Sequence, residues 1–492
     1  MIKRIMVFFL SLILLILINI TNAWAHGVHN IYGFGSRAIA MGGTHTALAN
    51  DSSATYYNAA ALTECEQGVL ELGLMRSFSN LNLSLSGDWD ALSTMTGLDI
   101  DELEAKYEDV DELTMISMSM AVPMWKSPSD KPLASMGFAL STPLEYAVRF
   151  YFIDPKEPMF LEYTNIANKI NIMFASGLDV AGVLDHLADI EIPGVSLGIG
   201  VNAFFNGDGL MEAPPMQMSL EMPFDYGLIA GILIKPFQTL IEDEILESIK
   251  LGVSYSQDIK MNMDFTMDLM GMTSGFSSYD LWNIEQWRFG LGINPLEHLT
   301  VGIDATRFTW SDYKPPYMEM GEGPFKDLMG VDFEFEEFKN IWVYRVGMEY
   351  GLLNDSLKVR GGYYNRPSPV PDQTQVTDIS SNVAPGETIS EVNYLKNLHD
   401  YVFLGSNIVD CDTHGISLGV GYSFTDTISA DIHFQYRILK ERKMVKEVDE
   451  EHQEWEDEIN NHFDYDEDED FNATLTGGGG TWNTGMTLSL SF

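Results

Sequence analysis

The chain has 492 residues, with 72 Asp or Glu against 28 Lys or Arg, for a formal charge of −44. That balance excludes a nucleic-acid partner, which would need a basic surface. Two cysteines, Cys65 and Cys411, are too few for a disulfide framework. Beyond the N-terminus, no segment approaches the ~20 consecutive apolar residues of a spanning helix.

In chain order, Lys3 and Arg4 precede an apolar run from Ile5 to Ile20, and Ala23-Trp24-Ala25 supplies a small-x-small cleavage site. This pattern predicts a signal peptide over 1–25 and a mature chain that begins at His26. His26 and His29 alone make a poor copper site. Residues 32–62, from Tyr32-Gly33-Phe34-Gly35-Ser36-Arg37 through Met41-Gly42-Gly43 to Asn58-Ala59-Ala60-Ala61-Leu62, are too rich in small residues to span lipid and too polar to form a core.

Fourteen strands are expected from there on, near 67–78, 113–125, 133–143, 160–174, 195–206, 223–236, 248–260, 283–294, 298–310, 339–352, 355–366, 413–424, 427–440 and 480–492. Alternation is clear in several of them. Ile416, Leu418, Val420, Tyr422 and Phe424 oppose Ser417, Gly419, Gly421 and Ser423, and Ile428, Ile432, Phe434, Tyr436 and Ile438 oppose Ser429, Asp431, His433, Gln435 and Arg437. A period of two puts one face in an apolar medium and the other in a polar one. A Lys or Arg turned to lipid at mid-depth would cost roughly 2–4 kcal/mol, so the charged face must look inward.

The predicted connections alternate in length. Ser127–Pro132, Pro295–Glu297, Asn354–Asp355 and Thr425–Asp426 are short, whereas 79–112, 261–282, 311–338, 367–412 and 441–479 are long and acidic. Residues 175–194 are an exception on the short side, with a helix expected around Leu178–Leu187. The last strand carries Trp482, Met486, Leu488 and Leu490 on one face and stops at Phe492. Together these features predict an all-β protein, a 14-stranded antiparallel transmembrane barrel in a bacterial outer membrane with its short turns periplasmic. The competing architecture is a pair of soluble β-sandwiches, which would also bury one face of each strand. In the barrel topology Cys65 and Cys411 fall at opposite ends and stay unbridged.

The residues before the first strand carry a resemblance. Gly33-x-Gly35-Ser36-Arg37-Ala38-x-x-Met41-Gly42-Gly43, followed by Asn58-Ala59-Ala60-Ala61-Leu62, resembles the N-terminal hatch of the FadL/TodX-type long-chain fatty-acid transporter family, with Ala59 where that pattern has proline. Further matches are Tyr226-Gly227 to Pro236, Leu251 to Tyr255, Phe308-Thr309-Trp310-Ser311, Val346 to Tyr350, Val359 to Tyr363 and Pro367–Pro371. The resemblance implies a hatch over 26–66 that plugs a barrel over 67–492. It also implies a channel for passive uptake of long-chain fatty acids or other hydrophobic compounds. Ligand would be caught on apolar outer loops, held in a lumenal pocket near the mature N-terminus, and released sideways past the hatch. Gating residues would be Gly33, Gly35, Arg37, Gly42, Gly43, Asn58, Ala59 and Ala60, and Pro143 would mark an opening at the third strand. Expected partners are hydrophobic small molecules, outer-membrane lipid and lipopolysaccharide, and the barrel assembly machinery through Phe492, with the protein a monomer. A non-transport scaffold or secretion-associated barrel is the alternative.

Other candidates come from residue type. Met261, Met263, Phe265, Met267, Leu269, Met270, Met272 and Phe276 fall in a predicted outer loop, where adaptable methionines suit ligand capture; Met211, Met216, Met218 and Met222 repeat the theme. Glu71, Asp304, Arg345, Glu349, Arg360, Asp431, His433 and Arg437 are expected to pair with one another and with Arg37, with carboxylate binding by one arginine as the alternative. The run Asp464–Asp470 lacks the glycine and the final glutamate of a calcium loop. The group His399, Asp400, Asp410, Asp412 and His414 fits no catalytic spacing. No nucleotide loop, zinc motif or nucleophile elbow occurs, so no enzyme, cofactor or metal site is expected.

Overall fold

Strand alternation is realised as a wall with two faces. In a computed structural model the protein is described over residues 26–87, 112–144, 168–169, 171–204, 207–213, 216–222, 225–238, 243–269, 272–313, 319–320, 338–370, 410–447 and 472–492. The expected signal peptide, Asp464–Asp470 and His399–Asp400 lie outside them. Fourteen strands close edge to edge into an antiparallel barrel. They are β1 (Val69–Gly87), β2 (Leu113–Lys126), β3 (Pro132–Pro143), β4 (Asn171–Asp179), β5 (Gly194–Phe204), β6 (Asp225–Lys235), β7 (Lys250–Ser256), β8 (Gln286–Leu296), β9 (Leu299–Phe308), β10 (Ile341–Leu352), β11 (Leu357–Arg366), β12 (Thr413–Ser423), β13 (Ile428–Glu447) and β14 (Asn472–Ser491). The seam runs from Val69 opposite Ser491 to Gly87 opposite Ala473. Beyond it, Gly68 and Phe492 exchange backbone hydrogen bonds of 3.1 and 2.8 Å.

The outward face is apolar. Leu418, Ile432, Val346, Ile303 and Leu72 are exposed, whereas their inward neighbours Ser417, His433 and Arg437 are buried. Exposed aromatics flank this belt, with Tyr226, Trp287, Trp342 and Tyr344 toward the long loops and Tyr350, Tyr422 and Phe424 toward the short turns. A barrel standing in a bilayer presents such a belt and girdles. Among the described residues no helix is long and apolar enough to cross a membrane.

Strand boundaries depart from the sequence reading in three places. The fourth strand lies over Asn171–Asp179 instead of 160–174, and the expected helix follows it at Val180–Ala188. β1, β13 and β14 run on far past the belt, because residues 79–87 and 441–447 find ladder partners in β14. Third, the predicted loop at 261–282 is itself sheet. Ile259–Leu269 and Met272–Asn283 form a hairpin in a five-stranded outer sheet with Met216–Met222, Gly207–Ala213 and Glu319–Met320. Met211, Met216, Met218, Met222, Met261, Met263, Phe265, Met267, Leu269, Met272 and Phe276 are therefore strand residues, and Met270 lies outside the described residues.

The segment before β1 touches strands on every side of the barrel, which places it in the lumen as a hatch. Glycines on the inner wall make the room. Gly177, Gly198 and Gly231 stand directly opposite one another on β4, β5 and β6, Gly252 opposes Gly290, and Gly292, Gly302, Gly347 and Gly362 form a second row across β8 to β11. A Cβ on Gly198 would meet the backbone of Ala59 and Ala60; one on Gly252, that of Thr46; and one on Gly362, that of Met41 and Gly42. At Gly42 and Gly43 the chain turns with φ of 67° and 84°, a region open to glycine at little cost.

Gly198→Val is expected to unseat the hatch and cost about 1–3 kcal/mol of stability through overpacking. Gly361→Val, whose added Cβ meets only atoms at 3.9 Å, should stay within about 0.5 kcal/mol. Urea unfolding of the two variants in micelles compares them.

Candidate functional site

Asn58 is the point where the hatch is tied to the wall. Its Oδ1 accepts from Ala60 N at 3.1 Å, and its Nδ2 donates to Thr46 O at 2.8 Å and to Ile232 O of β6 at 3.1 Å. Fully buried, it caps the 3-10 helix Ala59–Glu64. Ala59 opens that helix, a position where proline is favoured because its missing N–H is not needed, so alanine fits there too. At the far end, Glu64 pairs with Lys235 at 2.5 Å and Lys250 at 2.6 Å. Burial works to raise this carboxyl, but Lys250 and Lys235 override it and hold it at about 2.

Arg37, on the short helix Ser36–Ala40, anchors the opposite side. Its guanidinium donates to Glu349 at 3.0 Å and to Asp51 at 3.3 Å, and also to Asn50. Burial alone would weaken its charge, but Glu349 and Asp51 prevail and push its pKa up. The chain of pairs continues from Glu349 to Arg360 (2.6 Å) and from Arg360 to Asp431 (2.6 Å), beside a cavity of about 370 Å³ at the turn-side mouth. The remaining charges expected in the lumen also find partners. Glu71 accepts from Ser52 and Ser489, and Asp304 from Thr46 N at 3.0 Å and Thr46 Oγ1 at 2.6 Å. Arg345 donates to Thr306 at 2.7 Å, His433 meets Asn483 at 2.9 Å, and Arg437 lies 5.3 Å over the Tyr32 ring.

Gly33 and Gly35 lie in the same hatch with φ of 98° and 79°. Pro143 is buried at the end of β3, opposite Met115. The β3–β4 ladder is unbroken from Ala134 opposite Leu178 to Ser141 opposite Asn171. Cys65 and Cys411 are both buried, and no disulfide joins them.

Between the hatch and β8 to β11 lies a narrow space of about 30 Å³. Tyr56, Tyr57, Phe308 and Tyr364 form its aromatic wall, Arg288, Arg345 and Arg366 its cationic one, and no carboxylate lines it. Arg288 is buried. It donates to Gln286 Oε1 at 2.7 Å and to Ser256 Oγ and Tyr56 O at 3.3 Å, and stacks 4.6 Å over Tyr56. Toward the outer end, Phe308 and Tyr364 continue into an apolar cluster with Trp310, Phe338 and Ile341. An adjoining space of about 20 Å³ is lined by Asn30, Asn171 and Asn202 with Met173, Leu228 and Ile229. Oδ1 of Asn171 and Oδ1 of Asn202 have no partner among the described residues. Sequence reading missed Arg288 and Arg366. The available signal was alternation: Arg288 follows the outward Trp287, so it must point inward.

His29 and His45 are buried in the hatch. His29 Nε2 bonds Ser141, and its ring meets Phe34 edge-on at 4.9 Å. Burial lowers its pKa to about 4; burial first, then Arg37, lowers His45 to about 4. A histidine kept neutral in the fold but protonated near 6.5 when unfolded loses stability as pH falls between those values. Urea midpoints should therefore drop from pH 6.5 to 4, and the double variant His29→Gln, His45→Gln should flatten this slope. The Glu64 contribution has the same sign but a lower window, present above about 4.5 and lost toward 2, so its effect separates in pH.

No family model matches the chain, and no curated protein matches it. Among solved structures it is similar to a Pseudomonas aeruginosa FadL homologue, at 13% identity and a TM-score of 0.53 over 96% of this chain and 99% of that one. It is also similar to the Ralstonia pickettii toluene transporter TbuX, at 12% identity and a TM-score of 0.46 over 94% and 100%, and to the P. putida toluene transporter TodX, at 11% and 0.46 over 94% and 99%. With its closed fourteen-stranded wall and a hatch seated inside, the chain has the FadL-type barrel fold.

Proposed function

We propose that the protein is an outer-membrane channel for passive uptake of hydrophobic compounds, with long-chain fatty acids as the favoured class. The observation that carries this reading is the cavity with aromatic and arginine walls. In a chain of charge −44, a narrow space of about 30 Å³ with three arginines and no carboxylate lining it suits the anionic head of an amphiphile, and its chain enters only if the hatch or the lining side chains move. Each methylene buried against the aromatic side contributes about 0.8 kcal/mol, and a charged hydrogen bond at the head roughly 1.5–3 kcal/mol. In this proposal Arg288 receives the carboxylate, the methionine-rich outer sheet collects the ligand, and Asn58 holds the hatch against the wall where the ligand leaves sideways into the membrane. Pro143 would sit at the rim of that exit, and Phe492 would serve the assembly machinery.

A second reading rests on two observations: the hatch fills much of the lumen, and the β3–β4 ladder is unbroken. Both suit a scaffold that transports nothing.

Uptake of labelled oleate and of toluene by cells that lack their own fatty-acid channel separates the two. The channel reading expects oleate entry that falls severalfold with Asn58→Ala. Arg288→Leu should lower oleate uptake roughly tenfold or more, from the loss of a charged hydrogen bond, and leave toluene uptake unchanged. A correctly inserted barrel that admits neither compound would overturn the channel in favour of the scaffold.

A further inference from the structure

The connection between β4 and β5 differs from the other short ones. Ser127–Lys131 and Phe424–Thr427 are tight turns, whereas β4 and β5 are joined through the nine-residue helix Val180–Ala188. Both of its ends are closed. Asp179 Oδ1 accepts from Gly182 N at 3.1 Å, and Asp189, at φ of 53°, donates its N–H to Asp185 O at 3.1 Å, a left-handed cap common at helix ends. The sequence Val-Ala-Gly-Val-Leu-Asp-His-Leu-Ala is mostly apolar, yet only Ala181 is buried. At about 3.6 residues per turn, Val180, Val183, Leu184 and Leu187 share one stripe, and Asp185 stands on the opposite side. Leu187 is 68% exposed, and Ile190, just past the cap, 48%. An apolar stripe left open on a well-closed helix marks an interaction surface.

The stripe starts within the apolar belt of the barrel. Leu178 stands opposite Leu197, and Leu197 opposite Ile232; all three are exposed on the outward face. One step nearer the turns, Val195 stands opposite Ile234. Because Leu178 pairs with Leu197, Val180 comes level with Val195, so the first helical residue still lies beside apolar outward residues of β5 and β6. Two strand residues advance only about 7 Å. The helix therefore leaves the wall at the edge of the belt and not clear of it. On its other flank, Trp125 of β2 shares a row with Leu178 through Ala134 and meets the His186 ring edge-on at 6.1 Å. An exposed tryptophan at this level suits the boundary between acyl chains and headgroups, where its ring is apolar and its N–H wet.

We infer that the helix Val180–Ala188 is an interfacial helix that docks on the phospholipid leaflet at the turn side, with Val183 and Leu187 among the acyl chains and Asp185 in water. Helices with one apolar and one polar face lie in the plane of the interface in this way, about 5–10 Å into the headgroup boundary. The stripe prolongs a surface that already faces lipid, so its occupant is lipid and not a soluble protein. Docking holds the β4–β5 hairpin from outside. From inside, the same hairpin seats the hatch: a Cβ on Gly177 or Gly198 would meet the backbone of Ala59 or Ala60. The surface is independent of what the barrel transports and belongs equally to a channel and to a scaffold.

The test uses the full protein in dioleoylphosphatidylcholine vesicles. The variants Leu187→Cys, Asp185→Cys and Ser129→Cys each carry an environment-sensitive fluorophore, the last in an exposed turn of the same side. Parent protein taken through the same labelling gives the background of Cys65 and Cys411, which are buried. Quenching is read with a phospholipid spin-labelled high on its acyl chain and with iodide on both sides of the bilayer. The label at position 187 should be quenched by the lipid about threefold or more beyond the label at 129, and protected from iodide to a similar degree. The label at 185 should behave as the one at 129. Iodide that reaches position 187 as readily as 129 would overturn the inference and leave the stripe to a protein partner. Equal lipid quenching at 185 and 187 would overturn the one-sided docking. If Leu187→Cys does not fold, Val183→Cys, one turn earlier on the same stripe, takes its place with the same expected outcome.

Discussion

The close approach of hatch backbone to barrel wall is the constraint on which the rest depends. A segment of some forty residues lies in the lumen only because the wall opposite it carries hydrogen where a side chain would stand. Gly198 leaves space for Ala59 and Ala60, Gly252 for Thr46, and Gly362 for Met41 and Gly42. Glycine weakens a strand by its entropy and its lack of packing surface. Here that loss is offset by a second layer of backbone, seated so closely that its small residues are almost wholly buried. The alanines of the hatch follow from the same geometry, since Ala59, Ala60, Ala61 and Ala38 are all at or near zero exposure.

Once the backbone is seated, the polar groups have little freedom left. Asn58 bonds two carbonyls and one amide, so an orphaned donor or acceptor would follow any shift of the hatch, at roughly 1–3 kcal/mol each. Arg37 and Glu64 fasten the two sides through carboxylate–cation pairs that are buried or nearly so. Such pairs contribute less to net stability than to uniqueness, since an alternative seating would strand a charge in the interior. The charge distribution carries the same logic. Asp51, Glu71 and Asp431 gather at the turn-side mouth with Arg37 and Arg360, whereas Asp304 stands against Thr46 and no carboxylate lines the space with Arg288, Arg345 and Arg366. An electropositive space inside a strongly acidic protein is the arrangement that the proposed anionic ligand requires.

Much of this was readable in advance, for a physical reason specific to barrels. A strand in a bilayer-facing wall obeys a strict two-residue period, and Ile416 to Phe424 or Ile428 to Ile438 display it without tertiary help. The inward set Asp431, His433, Gln435 and Arg437 could be assigned to the lumen by the cost of the opposite orientation. Less legible were segments that leave the membrane. Residues 79–87 alternate Leu81, Leu83 and Leu85 with Asn80, Asn82, Ser84 and Ser86, a strand period read as loop, whereas 472–479 is largely polar with three glycines at 477–479 and nothing local distinguishes it from a loop. They are strands because β1 and β14 supply each other's hydrogen-bond partners. The methionine run at 261–276 was conspicuous as composition, but its pairing with 207–222 joins positions some fifty residues apart.

By itself, then, the sequence determined the barrel, its strand number and the inward and outward faces, because each rests on local period, while the hatch was implied by a resemblance of residues 32–62. The tertiary structure alone decided which glycine faces which hatch residue, that Asn58 reaches Ile232 on the wall, that Glu64 meets Lys235 and Lys250, and that Arg288 and Arg366 share one cavity. These are contacts between residues up to several hundred positions apart. They are set by strand register around a closed barrel, and register is a property of paired strands that no single strand carries.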